Sequence, residues 1–385
     1  MNESRPNPVA DSDPMHAAPG TSPDLKLLVT GATGFIGSRL VLHAQRMGLD
    51  VRTTGRAVTD LERTRLQELQ QAGVALEVGD LQDTDLLRRA VRDRNAVIHL
   101  AAAQHESHLP DEWFRAVNVG ATQALLLASR DAGVVRFVHG STIGVYGGTY
   151  ATPSAPPSAP DDTPNDAPDD GFDENSPLKP DNIYGRTKLE AEALVRAHGA
   201  DFATCIVRIS ETYGPGDLRL LKLFRAIDSG HCVMLGAGRN RRQVIYIDDL
   251  IRGLLIAAQH PAAAGQTFIF AGHKQMTTHE MLLRTAAALQ RKPPQLKLPL
   301  WPFVTAATVL EATLRPLRIQ APLHPRRLDF FRKSFVLSTQ KAHSVLGFRA
   351  DTDFQAGAAA TARWYRERGY LPSPAATAFA DQKSA

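Results

Sequence analysis

Between Leu25 and Gly48 an apolar run, LKLLV, leads directly into TGATGFIG and then into FIGSRLVLHAQRMG, whose apolar residues recur at helical spacing. A strand that becomes a helix through three glycines spaced three apart is a junction few folds can use. It leaves bare backbone at Gly31, Gly34 and Gly37, with Phe35 and Ile36 in the opening turn of the helix. The first N–H groups of a helix lack intrahelical partners and the dipole is positive there, so such a turn suits a diphosphate. Gly31 allows the tight turn, Gly34 lets a ligand come close, and Gly37 permits tight helix–sheet packing.

The same rhythm continues. Strand-like DVRTTGR, VALEVGD, AVIHLAA and VVRFVHGS alternate with helix-like DLERTRLQELQQAG, DTDLLRRAVRD and WFRAVNVGATQALLLASRDAG. Apolar strands separated by helices predict an α/β fold with a doubly wound parallel sheet covered on both faces. Residues 1–23 read as a disordered tail. Residues 150–171 read as a Pro-, Ala- and Asp-rich surface insertion, placed where a lid could sit. The helix NIYGRTKLEAEALVRAHG, the strand FATCIVRIS and the turn YGPGD follow, and the rhythm then becomes irregular. The chain therefore divides into a main domain over 24–215, a smaller cap over 216–371 with segments returning to the sheet, and a tail over 372–385.

A chain of 385 residues with 43% hydrophobic content can bury a substantial core. Its net charge of +4 is compatible with anionic small ligands and does not by itself imply nucleic acid. Cys205 and Cys232 form no metal-spaced set, which points to a reduced, cytoplasmic chain without a metal. The first twenty residues lack the apolar core of a signal peptide. LPLWPFVTAATVL is too short to span a bilayer. The helix WPFVTAATVLEATLRPL is expected to pack on the cap, with an apolar pocket or a membrane surface as other uses for it.

YGRTK places Tyr184 and Lys188 four apart, on one helical face. A phenol is a poor base near neutrality, and a neighbouring ammonium lowers its pKa. Tyr184 then passes a proton to a ketone, or takes one from an alcohol, as hydride moves to or from a nicotinamide. HGSTIGVYG adds two hydroxyls, Ser141 and Thr142, to hold a substrate oxygen. The cofactor's adenosine end is expected near the second strand, which closes on Arg56 with no carboxylate before Asp60. A guanidinium there suits a 2′-phosphate, so NADP(H) is favoured over NAD(H). Asp80 and Leu81 are expected to flank the adenine, and Ala101, Ala102 and Ala103 to pass close to the dinucleotide.

In this conjunction the chain resembles the extended short-chain dehydrogenase/reductases, the NAD-dependent epimerase/dehydratase group. The resemblance is carried by TGATGFIG, GDL, VIHLAA, NVGAT, RFVHGSTIGVYG, DENSPLKPDNIYGRTKLEAE, RISETYGPGD and RRQVIYIDDL, with STQKAHSVLGF near the end. It implies a Rossmann-type N-terminal domain and a smaller substrate-binding domain. It makes Thr142 the catalytic hydroxyl and gives Asn118 a place beside the site. It also implies a homodimer packed through the helices near 112–130 and 182–198. Where nucleotide-sugar members usually carry RPxNVYGP, this chain reads RISETYGPGD, with Glu211 in the asparagine's place. A carboxylate there repels a diphosphate, and YGPGD is similar to the 3β-hydroxysteroid dehydrogenase and dihydroflavonol reductase side of the family. Against that, GAGRNRR and HPRRLDFFRK supply arginines that suit a diphosphate. The sequence thus supports an NADP(H)-linked oxidoreductase acting on a fairly apolar ketone or secondary alcohol. A nucleotide-sugar epimerase or dehydratase is the alternative, and a dinucleotide-sensing regulator without chemistry is the reading from another class.

Overall fold

The computed structural model describes residues 24–104, 109–150, 171–314 and 328–373. The expected N-terminal tail and nearly all of the insertion and C-terminal tail lie outside them.

Seven strands form the main sheet: β1 (Lys26–Thr30), β2 (Asp50–Gly55), β3 (Ala75–Val78), β4 (Ala96–His99), β5 (Arg136–Thr142), β6 (Ala203–Ile209) and β7 (Gln266–Phe270). Their order is β7-β6-β5-β4-β1-β2-β3 and every pairing is parallel. Parallel strands need crossovers, and helices supply the first of them: α1 (Phe35–Arg46), α2 (Asp60–Gln71) and α3 (Thr84–Val91). Their starts are locally encoded. Thr59 and Glu62 form a reciprocal capping box on α2, and Asp83 accepts from two backbone N–H groups at the start of α3.

The long helix expected over 113–133 is interrupted. Helix α4 (Asp111–Arg115) passes into a π-helical turn at Ala116–Gly120 and resumes as α5 (Ala121–Asp131). Such turns are costly and gather at functional sites. Here the turn carries Asn118, buried against α6 (Ile183–Ala197).

One face of the sheet and the helices on it bury Leu27, Val29, Leu40, Val138 and Val207 with Leu250, Leu254 and Phe268. Leu250 and Leu254 belong to α8 (Ile247–Gln259), which follows α7 (Leu221–Asp228) in the chain. The opposite face buries Leu28, Leu87, Val97, Leu125 and Phe137. A separate apolar cluster gathers later residues: Phe224 of α7, Met281 of α9 (Thr278–Leu289), and Phe354 and Tyr365 of α12 (Phe354–Glu367), with Tyr213 and Met276 from short strands. Helix α11 (Gln340–Leu346) returns to the main sheet with Phe348.

Helix α10 (Trp301–Leu314) departs from expectation. Only Ala307 is buried, while Trp301 and Val309 stand exposed, so it does not pack broadly on the cap. No helix among the described residues is long and apolar enough to cross a membrane.

Candidate active site

The sheet order reverses between β1 and β4, and a crevice at the carboxyl ends of such strands is where an α/β sheet can hold a ligand. A cleft of about 590 Å³ opens there. Gly31, Gly34, Phe35, Ile36 and Gly37 line one end, and Thr142, Tyr184, Ser210, Glu211 and Arg219 line the other.

At the glycine turn the chain has no spare room. Gly31 has φ +76°, and a Cβ on it would lie 2.8 Å from the Ala101 nitrogen. A Cβ on Gly37 would lie 2.2 Å from the Gly31 carbonyl oxygen. The expected uses of these two glycines are therefore set by this packing. No side chain caps α1 and no acid sits in its first turn. The cleft thus meets a helix start with unsatisfied N–H groups and no carboxylate in its own first turn, which fits a dinucleotide diphosphate.

The walls are held by a buried relay. Thr122 donates to the Asn118 carbonyl (2.7 Å) and so accepts from Nε2 of His99 (2.9 Å). His99 Nδ1 then accepts from Thr30 (2.7 Å), whose oxygen accepts from the N–H groups of Leu100 and Ala101. Burial, with Lys188 adding to it, drives the His99 pKa down to about 3, so this tautomer is neutral. Asn118 also clamps Ala103, accepting from its N–H (2.7 Å) and donating to its carbonyl (3.0 Å), and it donates to Thr187 on α6 (2.9 Å). Ala101 and Ala102 line the cavity walls, whereas Ala103 is held back by Asn118.

Helix α6 carries Tyr184 and Lys188. Asn182 caps it, and Gly185 lets it approach the Gly144 carbonyl, where a Cβ would come within 2.8 Å. One turn beyond Lys188, Glu192 is fully buried and accepts from Arg208 (2.9 and 3.1 Å), Arg196 (2.6 Å) and Ser141 (2.6 Å). Burial opposes its ionisation most, but the hydrogen bonds and charge of Arg208, with Ser141 and Arg196, together outweigh it and lower its pKa. This cluster fixes α6 against β5 and β6. It also engages Ser141, expected among the substrate contacts, in a hydrogen bond to Glu192.

Thr142 lines the cleft and accepts from the Gly144 N–H (3.1 Å), opening a short 3₁₀ turn. Burial pushes the Tyr184 phenol up to about 12, and the cation that opposes this is Arg219. The expected partner, Lys188, is buried, which brings its ammonium down to about 7 against the pull of Glu192. Arg219 thus adds a positive charge at the phenol, alongside Lys188 one turn further along α6. Arg219 donates to Asp217 (2.9 Å) and to the Thr212 carbonyl, and it stacks over Phe35.

Beside the glycine turn, Thr54, Gly55, Arg56, Gly79, Asp80, Leu81 and Ala101, the residues expected near an adenosine among them, gather in one hollow. The sequence placed no carboxylate near Arg56, but Glu62 stands 3.6 Å from it. The same carboxylate closes the capping box, a signal legible as T-x-x-E. Arg65 is a further addition, bridging the Thr33 carbonyl (3.2 Å) and the Gly216 carbonyl (2.8 Å) across the cleft. Among the described residues no group of three His, Cys, Asp or Glu is placed to hold a metal ion.

The family model described as "Epimerase: NAD dependent epimerase/dehydratase family" matches residues 27–271. The chain belongs to this family of extended short-chain dehydrogenase/reductase enzymes. It is similar to a dTDP-glucose 4,6-dehydratase of Streptomyces antibioticus, at 29% identity over 89% of this chain and 93% of that protein. It is equally similar to a 3β-hydroxysteroid dehydrogenase/Δ5→4-isomerase of Mycobacterium tuberculosis, at 30% identity over 71% of this chain and 72% of that protein. Among solved structures, the dTDP-glucose 4,6-dehydratase DesIV of Streptomyces venezuelae with NAD bound superposes with a TM-score of 0.67. It is 27% identical, over 90% of this chain and 98% of that chain.

Proposed function

We propose that this enzyme transfers hydride between a nicotinamide dinucleotide and a secondary alcohol or its ketone, with Tyr184 carrying the proton. The observation that supports this most is the shared cleft, which runs from the bare start of α1 to the Tyr184 phenol and the Thr142 hydroxyl. The cofactor, when bound, accepts or donates the hydride. The protein's part is to hold the diphosphate on α1, to hold the reacting oxygen between Thr142 and Tyr184, and to supply or remove its proton. A phenol near 12 stays protonated at neutral pH and is ready to donate to a ketone oxygen. Arg219, next to it, stabilises the phenolate left behind.

For the cofactor we infer NADP(H), on the strength of Arg56 at the end of β2, with Glu62 limiting the preference by its own charge. The homodimer implied by the resemblance would pack through the outer faces of α5 and α6, where Leu127 is exposed.

A second reading keeps hydride on one substrate, as in an epimerase, and the relatives that act on nucleotide sugars favour it. NADPH deuterated at the transferred position separates the readings. Deuterium appearing in a new carbinol, with cofactor consumed in step, supports net reduction. An isomerised substrate with cofactor unconsumed supports the second reading.

A further inference from the structure

The substrate end of the cleft contains a charge pair that the sequence placed in opposite arguments. Arg242, in the arginine run, was read as suited to a diphosphate, and Glu211 as hostile to one. The structure joins them. Arg242 has only 3% of its side chain exposed and donates to Glu211, whose side chain is 48% exposed and lines the cleft. The remaining donors of Arg242 are engaged as well. Its Nε reaches Thr278 (3.3 Å), its other terminal nitrogen reaches the Phe330 carbonyl, and the guanidinium stacks on the Phe330 ring at 4.1 Å. Asn240 braces the same segment by donating to the Phe330 carbonyl (2.9 Å) and the Lys333 carbonyl (3.1 Å).

The charges around the cleft extend the point. Its lining holds three guanidiniums, Arg56, Arg65 and Arg219, and three carboxylates, Glu62, Asp217 and Glu211. Arg56 faces Glu62, Arg65 bridges two carbonyls, and Arg219 is tied to Asp217. The lining has no net positive charge to offer a second diphosphate beyond the cofactor's own. Ile143, Ile209 and Leu218 line the same cleft and are apolar.

We propose that the Glu211–Arg242 pair is the specificity determinant of this site. It closes the cleft to nucleoside diphosphates and selects an uncharged substrate, with an apolar body and a hydroxyl that donates to Glu211. This rests on the hydride-transfer reading and names its substrate class. Glu211 acts in two ways. It occupies a terminal nitrogen of Arg242 behind the cleft wall, and it adds a negative charge where a diphosphate would lie. Rejection by an opposing charge is a stronger discriminator than a missing contact, because the rejected ligand leaves both charges desolvated and unpaired.

The test is calorimetric titration of uridine diphosphate and thymidine diphosphate into the full-length protein with dinucleotide saturating. The wild type is expected to bind either probe more weakly than about 1 mM. Glu211→Gln, which removes the charge and weakens the hold on Arg242, is expected to bind at least about tenfold more tightly, a change of about 1.4 kcal/mol. The double variant Glu211→Gln/Arg242→Met is expected to lose that gain. Micromolar binding of either probe by the wild type overturns the proposal, as does a Glu211→Gln variant with unchanged affinity. If the single variant fails to fold, the wild-type titration decides alone. Dinucleotide affinity, measured first on the same samples, reports separately on the hydride-transfer reading. Its loss refutes that reading, and the diphosphate titration run without dinucleotide still judges the pair.

Discussion

The two ends of the cleft are built from different materials. At the glycine turn the contacts are backbone: Gly31 against Ala101, Gly37 against Gly31, and uncapped N–H groups at the start of α1. At the substrate end they are side chains drawn from distant segments: Glu211 on Arg242, Arg219 on Asp217, and Arg65 on Gly216. Backbone contacts tolerate almost no change of residue, because an added methyl meets atoms that cannot move aside. Charge pairs can be rewired by one substitution while the fold persists. One end is therefore suited to a constant ligand and the other to a ligand that differs among relatives. That division agrees with similarity of about equal strength to a sugar-nucleotide dehydratase and to a steroid dehydrogenase.

This contrast can be tested in four ways. Tyr184→Phe, where the two ends meet, is expected to lower turnover about 10³-fold, with dinucleotide affinity nearly unchanged. Steady-state kinetics beside a fluorescence titration check both, and unchanged turnover removes the phenol from the mechanism. At the backbone end, Gly37→Ala is expected to lower stability by about 2–3 kcal/mol and to weaken dinucleotide binding about 10²-fold. Thermal denaturation and the same titration read this out, and a fully stable, fully binding variant would show the turn to be less tight than described.

The third expectation concerns pH. A phenol raised to about 12 must lose its proton to act as a base. Alcohol oxidation should therefore climb between pH 7 and 9, by up to about tenfold per unit, while ketone reduction stays nearly flat. Parallel profiles in the two directions would contradict this assignment. The smallest effect belongs to the side-chain contacts of the adenosine end. Arg56→Asp is expected to cost about tenfold in NADP(H) affinity and little in NAD(H) affinity. Equal losses, measured by titrating both cofactors, would remove Arg56 from the choice between them.

The same contrast explains what the sequence made legible. The glycine turn, the strand and helix alternation and the Tyr184–Lys188 spacing are local patterns, and the sheet followed from them. The π turn at Ala116–Gly120 was not legible, because helical periodicity runs through it and only Asn118's contacts with Ala103 and Thr187 justify its cost. A second cation at the phenol was not legible for a related reason: Lys188 sits one turn from Tyr184 in sequence, whereas Arg219, thirty-five residues on, reaches the phenol only through the fold. The T-x-x-E spacing of Thr59 and Glu62 encodes a helix cap, but nothing in it marks Glu62 as the neighbour of Arg56. Pairings such as Arg65 with Gly216 and Arg219 with Phe35 join segments far apart in the chain, and no local pattern records them.

The most direct trial of this account is a crystal structure of the protein with a dinucleotide and an unreactive ketone or alcohol bound. The account predicts the diphosphate on the first turn of α1, and the reacting oxygen within hydrogen-bond reach, about 2.6–3.2 Å, of the Tyr184 hydroxyl. A dinucleotide lying away from Gly31, Gly34 and Gly37, or a Tyr184 hydroxyl out of reach of that oxygen, would contradict it.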